Sequence, residues 1–223
     1  MNTAIAVCAH TKRADQAHQL METVGAQYMA MDNGSYGCNA NHVRCWQYLA
    51  KQPTEWSLVL EDDAIAEDHF TEQLHQALAA TPAPVVSLYL GTSRPLWYQP
   101  MRTRTAQPLQ PLIGQAITTA EQQDASFITS RLLFHAVAVA IRTDLIGSML
   151  EHTVASRRPI DFAISDWCEQ HGHIAAYTMP SLVDHRDEQP VTQHPDRQPR
   201  NKPRKAWRHG TRDTWNSKSI AIG

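Results

Sequence analysis

Cysteine is scarce and unpatterned in this 223-residue chain: Cys8, Cys38, Cys45 and Cys168 show no CxxC spacing, which removes a zinc ribbon or a disulfide-stapled scaffold from consideration. Long apolar runs are missing too. The longest, around residues 5–7, 58–60 and 136–141, fall far short of the roughly 20 residues that a membrane-spanning helix needs. No basic-then-apolar leader opens the sequence, so a reducing, cytoplasmic setting is expected. The glycine patterns GxxxxGK[ST] and GxGxxG are absent, which argues against a P-loop or a dinucleotide-binding fold. There is no internal repeat.

A strong charge of one sign is also lacking, with a formal net charge of −2. The balance is uneven along the chain, however. Residues 197–212 carry Arg197, Arg200, Lys202, Arg204, Lys205, Arg208 and Arg212 without one acid, so the remainder is acidic. Pro195, Pro199 and Pro203 punctuate this stretch and make a regular helix unfavourable. It reads as a basic, extended arm. The organisation expected is a domain over residues 1–190 and a basic C-terminal extension over 191–223. Such an arm suits nucleic acid, an anionic surface or the acidic body of its own protein, with Trp207 available for stacking on a base.

What is present is concentrated in WSLVLEDDA, residues 56–64, where an apolar run ends in the three consecutive acids Glu61, Asp62 and Asp63. Adjacent anions just past a buried strand repel one another unless solvent, basic side chains or a metal compensates them. Hard cations such as Mg2+ and Mn2+ prefer carboxylate oxygens, and ligands of α/β sheets bind at strand ends. The competing reading is a solvated loop or a helix start.

Strand and helix patterns alternate around this motif. Residues 3–9 read as a strand, 14–24 as a helix, 26–31 as a strand closed by the turn sequence DNGS, and 39–50 as a helix leading into the strand from Trp56. A helix around Phe70 to Leu78 and a strand over 85–90 ending at Gly91 follow. Pro95, Pro100, Pro108 and Pro111 predict a loop-rich insertion or short irregular strands over 92–123. Then come a strand over 134–141, helices over 143–151 and 161–170, the latter ended by Gly172, and a strand over 174–177. The alternation predicts an α/β fold, a mainly parallel sheet flanked by helices.

Three separated segments resemble nucleotide-sugar glycosyltransferases of the GT-A type, particularly the bacterial and phage enzymes related to lipooligosaccharide transferases. They are GCNANH at 37–42 with Trp46 and the acidic motif, the helix from Asp161 to Gly172, and PSLVDH at 180–185. The resemblance implies a UDP-sugar or similar donor, Mn2+ or Mg2+ bound by Asp63 and His185, and Glu61 and Asp62 near the ribose, the sugar or metal-bound water. It makes Asp161 the expected catalytic base, with Asp166 in reserve. The nucleotide is expected over the first strand's end, where Ala9, His10, Thr11 and Arg13 supply backbone groups, a ring and a positive charge. Asn39 and His42 are expected to add donor contacts, although Asn39 also suits helix capping. Gly91 is expected to let a ligand approach the backbone.

The acceptor implied is a glycan. Phage enzymes of this kind that glycosylate hydroxymethylated bases make DNA a second acceptor, gripped by the basic arm with Trp207 and Trp215, in a bacterial or phage-infected cell. Two other readings compete: a metal-dependent phosphoesterase or nucleotidyltransferase acting on nucleic acid, and a non-catalytic nucleic-acid-binding module, which leaves the acids unexplained.

Overall fold

The computed structural model describes residues 2–92, 109–191 and 203–222. The first strand, β1 (Thr3–His10), is buried from Ala4 onward without alternation, as befits a strand covered on both faces. After it come α1 (Ala14–Val24), β2 (Tyr28–Asp32), α2 (Cys38–Leu49), β3 (Trp56–Glu61), β4 (Ala64–Ala66), α3 (Phe70–Ala80) and β5 (Val85–Ser87). The chain continues through α4 (Leu109–Gln123), β6 (Phe127–Ser130), β7 (Ala138–Arg142), α5 (Ile146–Ala155), α6 (Ile160–His171), β8 (Ala175–Thr178), β9 (Val183–His185) and β10 (Ser219–Ala221).

Eight strands form one sheet in the order β10-β6-β8-β5-β7-β3-β1-β2. Four of its seven pairings are parallel, while β7 runs opposite to both β3 and β5, and β6 opposite to β8. Strands β4 and β9 make a separate antiparallel pair. The alternation of side chains along β1 divides the core in two. Ala4, Ala6 and Cys8 pack with Trp46, Leu49, Ile113, Ile146 and Trp167 of α2, α4, α5 and α6. Ile5, Val7 and Ala9 pack with Ala17, Leu20, Phe70 and Leu74 of α1 and α3. The expected mostly parallel sheet with helices on both faces is thus the fold observed.

Some expectations need correction. Residues 109–123 are a helix, not irregular structure, because Pro111 occupies the first turn, where a missing N–H costs no intrahelical bond. Leu109, Ile113, Ala116, Ile117 and Ala120 form its buried face. Residues 93–108 lie outside the described residues. The strand expected over 134–141 begins only at Ala138, and β5 ends at Ser87, where the Ser87 hydroxyl donates to the Tyr89 carbonyl and bends the chain.

Of the partners expected for the basic C-terminal region, the acidic body of its own protein is the one that residues 203–222 meet. Over residues 203–222 the chain does not stand off as an extended arm. Ala206 bridges Gly91, His209 bridges Ser181, and β10 pairs with β6. Its cations meet acids of the domain: Lys205 Nζ lies 3.1 Å from Asp184, Arg208 Nε 2.7 Å from Glu121, and Arg212 pairs with Asp124. Trp207 and Trp215 pack against the two cores. Arg197, Arg200 and Lys202 lie outside the described residues.

Candidate active site

Strand β3 delivers its acids to the C-terminal edge of the sheet, beside the ends of β1 and β2. Glu61 is its last residue. Asp62 and Asp63 occupy the turn into β4, and both are buried. The Asp62 carboxylate holds the end of β1, since Oδ2 accepts the His10 backbone N–H at 2.7 Å and Oδ1 accepts Arg13 Nη1 at 3.0 Å. The same Arg13 nitrogen lies 2.6 Å from Asp63 Oδ2. Arg13 enters from a 3-10 turn, Thr11–Arg13, that follows β1 directly. Its second amino group donates to the Gln189 carbonyl at 3.1 Å.

His185 reaches this cluster from the other end of the sequence. The β4–β9 pairing sets Ala64 opposite His185, and Arg186 N–H donates to the Asp63 carbonyl at 2.8 Å. His185 Nε2 consequently lies 3.4 Å from Asp63 Oδ2. Asp184, beside it, accepts the Ala206 N–H at 2.8 Å, so the folded-back C-terminal segment braces this short strand.

One guanidinium does not balance the acids. Burial and the neighbouring Asp63 push the Asp62 carboxyl up to about 6, against the His10 amide and Arg13. Burial and Glu61 raise Asp63, against His185 and Arg13. Asp63 Oδ1 and His185 Nδ1 are buried and have no hydrogen-bond partner among the described residues. Unpaired polar atoms at such depth are costly unless a ligand takes them. A carboxylate and an imidazole are a donor set that Mn2+ or Mg2+ accepts, so the residues present fit the divalent cation expected here.

Helix α2 forms the next wall. Asp32, at the end of β2, accepts the N–H groups of Tyr36 at 3.0 Å and Gly37 at 2.9 Å, which sets the loop that starts the helix. Asn41 then ties the helix to the sheet through the Ala9 carbonyl at 3.0 Å and the Ala30 carbonyl at 2.8 Å. His42, fully buried, meets Glu61 Oε1 through Nε2 at 3.0 Å. Burial opposes charge on both, yet their mutual attraction prevails. Glu61 is held down at about 2 by His42, and His42 is raised well above its ordinary value by the nearby Cys38 sulfur and Glu61.

Asn39 fastens a second helix to this wall. Its amide donates to the Arg158 carbonyl at 2.7 Å, and its Oδ1 accepts the Ile160 N–H at 3.0 Å, capping α6 from across the interface. The first turn of α6, with Asp161, therefore sits against α2 one turn before His42. Asp166 faces Arg158, whose Nη1 lies 2.9 and 2.7 Å from its two oxygens.

The sequence profile of glycosyltransferase family 25, described as an LPS biosynthesis protein, matches residues 4–125, more than half of the chain. The chain belongs to this family. This glycosyltransferase carries its acidic motif and the α2 wall inside the matched region, whereas α6 and His185 lie beyond it. No curated protein sequence matches this glycosyltransferase. Among solved structures, A197 from STIV is similar at 12% identity and TM-score 0.44, covering 95% of this chain and 97% of its own. A CMP:2-keto-3-deoxy-manno-octonic acid synthetase complexed with CTP is similar at 12% identity and TM-score 0.37, covering 79% and 89%. Likenesses this distant assign neither activity nor ligand.

Of the residues expected at the site, His10, Arg13, Asp62, Asp63 and His185 are contiguous at the ends of β1 and β3, and His42 and Glu61 form a bonded pair beside them. Ala9 offers its carbonyl to Asn41 rather than to open space, and Thr11 is exposed. Gly91 stands apart in its surroundings. A Cβ placed there would run into the Tyr89 ring and hydroxyl, so the missing side chain makes room for that ring. Asp32, Asn41 and Cys38 went unread in the sequence. Asp32 was absorbed into a turn pattern, and Asn41 and Cys38 lacked any partner until the helix was set against the sheet.

Proposed function

We propose that this glycosyltransferase uses a nucleoside-diphosphate sugar as donor and the hydroxyl of a glycan as acceptor, with a divalent cation held by Asp63 and His185. The observation that carries the reading is the 3.4 Å approach of His185 Nε2 to Asp63 Oδ2, with the second Asp63 oxygen buried and without a hydrogen-bond partner among the described residues. A cation bound there supplies Lewis-acid stabilisation to the charge that builds on the departing diphosphate. Arg13, beside both aspartates, would add a fixed positive charge next to the donor phosphates. Asp62 keeps the end of β1 and its His10 amide in position. The nucleoside lies over the ends of β1 and β2, against His10.

Asp161 takes the proton from the acceptor hydroxyl as its oxygen attacks the anomeric carbon and the sugar–phosphate bond breaks. It is preferred to Asp166 because it stands in the first turn of α6, which Asn39 fastens to the α2 wall of the site. A glycan acceptor is preferred to DNA because Lys205, Arg208 and Arg212 already spend their charge on acids of the domain, and Trp207 on its core. The LPS description of the family points the same way.

The test is a thermal-shift panel of UDP, GDP, CDP and dTDP, each with and without Mn2+, on the wild type and Asp63→Ala. One nucleotide is expected to raise the melting temperature only with Mn2+, and the variant to lose that gain. Equal shifts in both proteins would contradict a cation at Asp63.

A further inference from the structure

A second cluster of metal-binding groups lies beside the proposed donor site and is not used by it. Cys38, His42 and Glu61 each offer one ligand atom, and the sulfur, nitrogen and oxygen all lie within 4.8 Å of one another. Two features of the fold produce this. Cys38 and His42 are separated by one helical turn at the start of α2, so both side chains project on the same face. The sheet register then carries Glu61 to the end of β3 beneath that face, where His42 Nε2 and Glu61 Oε1 approach to 3.0 Å. Asn41, bonded to the carbonyls of Ala9 and Ala30, prevents the helix from moving away from the sheet.

We infer that Cys38, His42 and Glu61 bind a thiophilic divalent cation of the zinc type, separate from the hard-cation site at Asp63 and His185. The donor set decides the class. Thiolate and imidazole select zinc-like ions, whereas Mg2+ and Mn2+ favour oxygen ligands. Thiolate and carboxylate together neutralise a divalent charge, and metal binding to a thiol and an imidazole releases protons. Three protein ligands leave one tetrahedral position open. Cys38 is exposed while His42 is buried, so the cluster is reachable from solvent on its sulfur side. An exposed Cys38 side chain has the freedom to close the remaining separation. Bound metal would fix the start of α2, and through Asn39 the start of α6, against the end of β3. The site stands on its own residues and does not depend on the donor-site reading.

Cobalt replaces zinc in such sites and reports a sulfur ligand by thiolate-to-cobalt charge-transfer absorption. The full-length protein, stripped with a chelator, is titrated with Co2+ and then with Zn2+. One equivalent of Co2+ is expected to give charge-transfer and tetrahedral d–d bands that Zn2+ abolishes. Cys38→Ser, at an exposed position that leaves the fold intact by circular dichroism, is expected to lose the charge-transfer band. His42→Gln is expected to weaken Zn2+ binding by at least the roughly 10–100-fold that outer-shell partners alone cost. Asp63→Ala is expected to keep the cobalt spectrum, which distinguishes this site from the donor site. Absence of the charge-transfer band in the wild type would overturn the inference in favour of a proton-sharing thiol, imidazole and carboxylate. Its persistence in Cys38→Ser, or its loss in Asp63→Ala, would overturn it as well.

Discussion

At the scale of single residues, the site is a set of carboxylates that differ by what each one touches. Glu61 is bound to His42, Asp62 to a backbone amide and Arg13, and Asp63 has one oxygen without a hydrogen-bond partner among the described residues. The sequence marked these three as a group but had no means of separating them, since each role depends on a partner distant in the chain. Asp32 shows the same limit. It reads as turn chemistry, yet its carboxylate receives the amides that start α2, and these hold its pKa below the usual carboxylate value in spite of burial. A depressed folded-state value means that the stabilisation is complete above the unfolded pKa of about 4 and is lost as pH falls through the folded value. Wild type should therefore be more stable than Asp32→Asn to urea at neutral pH, with the gap narrowing in acid. A gap independent of pH would show that the charge is not what matters.

Elements were legible where a periodic face coincided with ordinary boundaries. α1 matches its expected limits of 14–24 because Ala17, Leu20 and Val24 alternate with polar residues and Gly25, at φ 66, ends the helix in the left-handed conformation. α4 was hidden by the four prolines before and within it, although only the position of Pro111 in the first turn matters to the helix. β6 was missed because four residues flanked by serine and aspartate give too short an alternation to register. Gly91 gives a prediction at this scale. Its lack of a side chain admits the buried Tyr89 ring, whose hydroxyl donates to the Arg204 carbonyl at 2.9 Å and so links β5 to the C-terminal segment. Gly91→Ala should lose about 1–3 kcal/mol through overpacking, measured as a drop in the urea midpoint. An unchanged midpoint would mean that the segment yields freely around Tyr89.

For the whole molecule, the mostly parallel α/β sheet was expected from the alternation of strands and helices, and the acids fall at its C-terminal edge as that architecture implies. In the C-terminal segment, charge, prolines and Trp207 point to an extended chain with an anionic partner but not to where it docks. Its cations are matched to acids on the body, and no local pattern announces β10, whose three residues pair with β6 across the sheet edge. Ending the chain at residue 202 removes β10, the Ala206 bridge and both packed tryptophans. The melting temperature should then fall by about 5 °C or more, because the brace on Asp184 and on the strand of His185 is lost. An unaffected melting temperature would restore the picture of an independent arm.

The central claim, that Asp63 and His185 hold a cation beneath the donor diphosphate, is tested most directly by diffraction at the manganese edge from crystals grown with Mn2+ and the nucleotide selected by thermal shift. An anomalous peak is expected within bonding distance of the Asp63 carboxylate and the His185 ring, in contact with a diphosphate oxygen, with Arg13 turned toward the phosphates. A bound nucleotide with no peak there, and Arg13 still paired with both Asp62 and Asp63, would contradict it.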